Sequence, residues 1–176
     1  MNIKISLFII AMAVSLKAIA LPAGFSEKDK NLSVFDKAVL VNNYYNQFSF
    51  DLEPGESDVW KTPAEFSRDK SGDSEDFVIS KFFALSELGV KRSHMKLAYV
   101  NMQSFKDPHM VLFVFDSKSD KRYVLDNLDS EVKEYKERMD LSLIYSFDDK
   151  YIWTIDGFSG EAKQIPKWVD LLRSVE

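Results

Sequence analysis

Between Ser74 and Leu88 the chain sets Phe77, Val78, Ile79, Phe82, Phe83, Leu85 and Leu88 around more than one face of a helix. A surface helix hides one apolar stripe, whereas a helix that is apolar on several sides has to be wrapped by the rest of the chain. The fold must therefore be built around this segment. Its limits are marked in the sequence. Ser71-Gly72-Asp73 breaks the chain before it, and Gly89 stops it as the residue past the C-cap. Fourteen Phe, seven Tyr and three Trp are enough to fill one such core. A hydrophobic content of 45% with 29% charged residues excludes a disordered acidic tail.

The segments around that helix read as follows. Residues 21–32 are polar and predict a mobile lead-in. A helix is expected over 33–48, with Ser33 as N-cap and Asp36 three residues on. Residues 49–59 are acidic and contain Gly and Pro, which predicts a loop. Thr62-Pro63-Ala64-Glu65 is a capping box with Pro at the first helical position, so a short helix starts there. Arg68, Asp69 and Lys70 read as a solvated loop, His94 as a surface residue and Trp60 as a core residue.

Beyond Gly89 the chain reads mainly as strands, at 95–102, 109–116, 121–126, 142–147 and 151–156, rich in Val, Tyr, Phe and Ile. Ser117 to Asp120 joins the second and third as a hairpin, and Asp148-Asp149-Lys150 makes another. Residues 129–138 are highly charged and fit either a loop or an exposed helical turn. Ile165-Pro166 opens a last helix through Val175, with Trp168, Leu171 and Leu172 on one side. Helices followed by antiparallel strands predict an α+β domain.

Residues 1–20 have a short positive start at Lys4, an apolar run from Leu7 to Leu16 and a small-x-small end at Ala18-Ile19-Ala20. This is the pattern of a secretory signal peptide, too short to span a bilayer. Export and cleavage are expected, leaving residues 21–176 as one domain without a transmembrane segment. Cleavage removes Lys4 and Lys17 and no acid, so the formal charge moves from −5 to −7. An acidic chain lacks the basic face of a nucleic-acid binder. It suits calcium, a cationic partner or simply a solvated surface.

Three places can carry chemistry: Ser74 in Gly72-Asp73-Ser74-Glu75-Asp76, His109 at the start of a strand, and Asp126 at the end of the next. If Asp116 pairs with Lys121 across the turn, paired numbers sum to 237. His109 and Asp126 then share one sheet face as diagonal neighbours, ~7–8 Å apart, within reach of a hydrogen bond. A His held by an Asp beside a hydroxyl at a helix N-terminus is the layout of a nucleophilic triad.

In order along the chain, five segments resemble those of the bacterial transglutaminase-like cysteine peptidase family, the LapG-type periplasmic proteases. They are Asp58-Val59-Trp60-Lys61-Thr62-Pro63-Ala64-Glu65-Phe66; Gly72-Asp73-Ser74-Glu75-Asp76 with Lys81, Leu85 and Leu88-Gly89; Pro108-His109-Met110-Val111-Leu112; Val124-Leu125-Asp126-Asn127; and Tyr145-Ser146-Phe147 before Trp153. The resemblance implies a papain-like, transglutaminase-like fold, with the nucleophile helix packed on an antiparallel sheet of about five strands. It assigns position 74 as nucleophile, His109 as base and Asp126 as its orienting partner. It further implies periplasmic location and cleavage of the N-terminal region of a large surface adhesin, which controls biofilm attachment. Restraint by an inner-membrane cyclic-di-GMP receptor is implied too. Calcium is implied at Asp73 and Glu75, with Asp76, Asp51, Glu53, Glu56 and Asp58 able to add oxygens. No His or Cys cluster points to zinc.

The sequence departs from the family at the nucleophile. Where the family has Cys, this chain has Ser74, and it has no Cys anywhere, which also excludes disulfides and thiol catalysis as written. A thiol at a helix N-terminus beside His is held as thiolate, but a hydroxyl must give its proton to the base during attack. Three accounts fit: an introduced replacement that disables a protease, a natural family member that binds without cutting, or a working serine nucleophile. The expectation is a homologue with weakened or absent activity, or a non-catalytic protein that sequesters the adhesin segment or competes for the receptor.

Overall fold

The computed structural model describes residues 21, 22, 24–51 and 59–175. The expected signal peptide, residues 1–20, and the expected calcium ligands Glu53, Glu56 and Asp58 lie outside the described residues. Among those described, no helix is long and apolar enough to cross a membrane.

Helix α1 (Val34–Tyr45) starts at Ser33, whose side chain accepts the Asp36 N–H. Helix α2 (Pro63–Asp69) carries the expected capping box, with Thr62 and Glu65 each satisfying the other's backbone N–H. Its last turn takes in Arg68 and Asp69, and Lys70 closes it in the left-handed region at φ 53°; the three are exposed but belong to the helix end rather than to a loop. Helix α3 (Ser74–Glu87) is capped by Asp73 and is buried on several sides. Gly89 follows it at φ 87°, a conformation that disfavours side chains. Helix α4 (Pro166–Val175) buries Trp168 and Leu171.

Two elements replace expected irregular chain. Glu27–Asn31 forms one 3-10 turn in the polar lead-in, closed by Ser26 and Asp29. β1 (Ser49–Phe50) pairs in parallel with β2 (Ser71–Gly72), which ties the start of the acidic loop to the residues just before α3.

The main sheet runs β6-β5-β4-β3-β7-β8-β9 and is antiparallel throughout. Its strands are β3 (Met95–Met102), β4 (His109–Asp116), β5 (Lys121–Leu125), β6 (Lys133–Glu134), β7 (Leu141–Phe147), β8 (Tyr151–Thr154) and β9 (Gly157–Glu161). The sheet is thus wider than five strands by its two edges. β6 is two charged residues followed by a 3-10 turn at Tyr135–Glu137, and β9 contains Gly157 and Gly160. Neither composition favours a strand, and short charged or Gly-rich segments suit an edge.

Period-2 alternation divides β3 and β4 between two cores. Met95, Leu97, Met110, Leu112 and Val114 join the helices in the larger core. Ala98, Val100, Val111 and Phe113 lie on the other face, under Tyr135 and Leu143. This is why β4 reads as an unbroken apolar run.

Candidate functional site

The β4–β5 register is Asp116↔Lys121 through Leu112↔Leu125, which is the pairing expected from the turn. It brings His109 Nε2 to 2.8 Å from Asp126 Oδ1. Asp126 is wholly buried and His109 nearly so. Burial pushes the Asp126 carboxyl up, but the bonds from His109, the Leu128 N–H and Arg138 outweigh it and hold its pKa down to about 2. An ionised carboxylate only accepts, so the neutral imidazole carries its proton on Nε2 and keeps a lone pair on Nδ1. Nδ1 is therefore the ring nitrogen with a lone pair to accept a proton. Phe105 stacks on the same ring, 6.4 Å between centroids.

Ser74 stands at the N-terminus of α3, 6% exposed. Pairing of β5 with β4 stops at Leu112, and the Met110 N–H beyond that point donates to Ser74 Oγ at 3.2 Å. The Ser74 hydroxyl donates to Glu75 Oε2 at 2.7 Å. Tyr99, paired with Met110 across β3–β4, donates its hydroxyl to Glu75 Oε1 at 2.9 Å. Burial, and then the Glu75 charge, push the neighbouring Tyr145 phenol up to about 12. The structure thus gathers Ser74, His109 and Asp126 around one strand end. The Ser74 proton, however, is given to Glu75 and not to His109.

Gly72 and Asp76 have structural work at this helix start. A Cβ on Gly72 would stand 2.2 Å from Asp76 Oδ2. Asp76 Oδ1 accepts the Lys61 N–H at 2.8 Å, and Lys61 Nζ lies 3.6 Å from Oδ2, so Asp76 binds the chain after Trp60 to α3. Trp60 itself is buried and stacks on Phe147. His94, expected at the surface, is half-buried and edge-on to Phe115.

The calcium candidates among the described residues are all engaged within the chain. Asp73 accepts the Asp76 N–H, both Glu75 oxygens hold hydroxyls, and Asp51 accepts from Ser71. Among the described residues no three His, Cys, Asp or Glu side chains gather to hold a metal ion.

Two further residues support the site: Arg138, which nothing in the sequence marks out, and Lys81, marked only as part of the segment that follows Ser74. Arg138 lies in the charged stretch 129–138 yet is buried, and its Nη2 donates to Asp126 Oδ2 at 2.9 Å. Lys81 is wholly buried in α3 and donates to Asn42 Oδ1 and Asn46 Oδ1 at 2.8 and 2.7 Å. The same two amides donate to the carbonyls of Asp126, Asp129 and Ser130, so α1 and Lys81 hold the loop after Asp126.

No curated protein matches the chain. Among solved structures it is similar to Legionella pneumophila LapG in calcium-bound form, with 30% identity, 85% of this chain and 84% of that chain covered, and a TM-score of 0.77. It is equally similar to the EGTA-treated form of that protein, with 31% identity, 85% and 83% covered, and a TM-score of 0.78. The family model for bacterial transglutaminase-like cysteine proteinases (BTLCP) matches residues 24–150. With the α+β layout and the order of segments already described, the chain belongs to the bacterial transglutaminase-like cysteine proteinase family.

Proposed function

We propose that this chain is a periplasmic member of the family that engages the N-terminal region of a surface adhesin and, with Ser74 at the nucleophile position, cuts it weakly or not at all. The observation that carries the reading is the pairing of the Ser74 hydroxyl with Glu75 beside an intact His109–Asp126 couple. In acyl transfer position 74 attacks the scissile carbonyl, His109 Nδ1 takes and returns the proton, and Asp126 fixes the ring. N–H groups at the α3 start serve the oxyanion. For Ser74 to attack, its proton must turn from Glu75 to Nδ1. Breaking a hydrogen bond to a charged group costs about 1.5–3 kcal/mol, which alone slows attack by about 10- to 100-fold. The lower acidity of a hydroxyl relative to a thiol adds to this.

The same observation favours a second reading, a non-catalytic protein that sequesters the adhesin segment or competes for a cyclic-di-GMP receptor in the inner membrane. Calcium stands apart in both. An ion at Asp73 and Glu75 would compete with Ser74 and Tyr99 for Glu75, and no step of the mechanism runs through it.

The native chain and Ser74→Cys should be assayed side by side on peptides from the N-terminal regions of candidate adhesins, with and without EGTA. Cleavage by the Cys form and binding with little cleavage by the native chain are expected. His109→Ala in the Cys form should abolish cutting. A Cys form that is inert on all candidates would overturn the protease ancestry of the mechanism, and a native chain that cuts as fast as the Cys form would overturn the assignment of Ser74 as the weak point. Loss of peptide binding in EGTA would place calcium in the site.

A further inference from the structure

We propose that Arg138 is a positioning residue for the Asp126–His109 pair: by holding Asp126 Oδ2 it fixes the plane of the carboxylate, keeps an acceptor lone pair aimed at His109 Nε2 and so fixes the imidazole tautomer. This deepens the reading of His109 as base and rests on it. The two oxygens of Asp126 have separate partners. Oδ1 accepts from His109 Nε2 at 2.8 Å and from the Leu128 N–H at 2.9 Å. Oδ2 accepts from Arg138 Nη2 at 2.9 Å. A carboxylate with one side open can turn about its Cβ–Cγ bond and carry its acceptor lone pairs out of line with the ring N–H; one gripped on both sides cannot.

Arg138 is itself gripped. Its Nε donates to Asp140 Oδ1 at 2.9 Å and its Nη2 to Asp140 Oδ2 at 2.8 Å, the planar fork matching a carboxylate. It is 5% exposed and Asp126 is 0% exposed, so little water competes for these bonds. The result is a line of four side chains, Asp140–Arg138–Asp126–His109, running from a half-exposed carboxylate to the base. A lysine at 138 carries the charge but has no fork to hold Asp140 and Asp126 together.

A purely structural Arg138 would tie residues 126–140 together without affecting the ring proton. The tautomer separates the two roles. The chain has only two histidines, His94 and His109, so ring nitrogen spectra are simple and His94 is an internal control. In the native chain a slowly exchanging, low-field Nε2–H signal from His109 is expected. Arg138→Met should lose that signal and mix the two tautomers while His94 is unchanged, and Arg138→Lys should restore it in part. Retention of a single Nε2–H tautomer in Arg138→Met overturns the proposal. If Arg138→Met does not fold, Asp140→Asn decides by the same signal, at a position that is not buried. The spectra stand whether or not the Ser74→Cys chain cuts, so failure of the protease reading and failure of this proposal are separate results. In a Ser74→Cys chain that cuts, Arg138→Met should lower kcat by about 10- to 100-fold and leave KM within about twofold.

Discussion

Asp126 and Lys81 are both wholly buried, and at both sites stability rises with pH, in separate windows. The folded pKa of Asp126, about 2, lies below the ordinary 3.8, so its contribution is complete above that value and fades as pH falls toward 2. Burial lowers Lys81 from 10.5 to about 7, against a smaller upward pull from the Asp126 charge. From about pH 7 to 10 the unfolded chain holds more protons at this site, so stability rises with pH across that window; below it the burial penalty is carried in full. Urea midpoints measured from pH 6 to 10 should climb in the native chain and lie flat in Lys81→Met; an equal climb in both would remove Lys81 as the cause. The residues of the site differ in how legible they are. His109 and Asp126 follow from a short polar turn that fixes the register, and Ser74 from its place before an apolar helix. Arg138 does not stand out, because Glu131, Lys136 and Glu137 around it are exposed, as charged residues usually are. Only tertiary folding singles out the one that is buried.

Elements with chemical punctuation were readable to within a residue or so. Ser33, Thr62, Asp73 and Gly89 mark helix ends because each satisfies backbone groups the helix leaves open or takes a φ that other residues avoid. The edge strands β6 and β9 have no such marks and no alternation, and pairing alone makes them strands. The start of α3 is the most constrained junction. Gly72→Ala should force Asp76 off Lys61 and cost about 1–3 kcal/mol in chemical unfolding. Asp73→Ala should cost about 1 kcal/mol through the lost cap. A Gly72→Ala chain as stable as the native one would mean that the helix start has slack.

At the scale of the molecule, the family match ends at residue 150 but the core does not. Trp168 of α4 is fully buried, edge-on to Phe82 of α3 and Phe147 of β7, with centroids 5.6 Å away in both cases. Trp168→Ala should therefore cost about 3–5 kcal/mol, and a chain cut after 150 should lose its cooperative unfolding transition. A truncated chain that melts like the native one would make the last strands and helix an appendage. The anchoring of the Asp126 loop to α1 also sets an order in time. The Asn46 bond to the Asp126 carbonyl spans 80 positions, the Lys81 bond to Asn42 spans 39, and Arg138 lies 12 beyond Asp126. Contacts so distant in sequence close late, because the chain between them must be gathered first. A chain emerging from its N-terminus presents position 74 first, then His109 and Asp126, and the support of that pair is complete only once Arg138 and Asp140 have followed. The candidate site is therefore assembled only with completion of the fold.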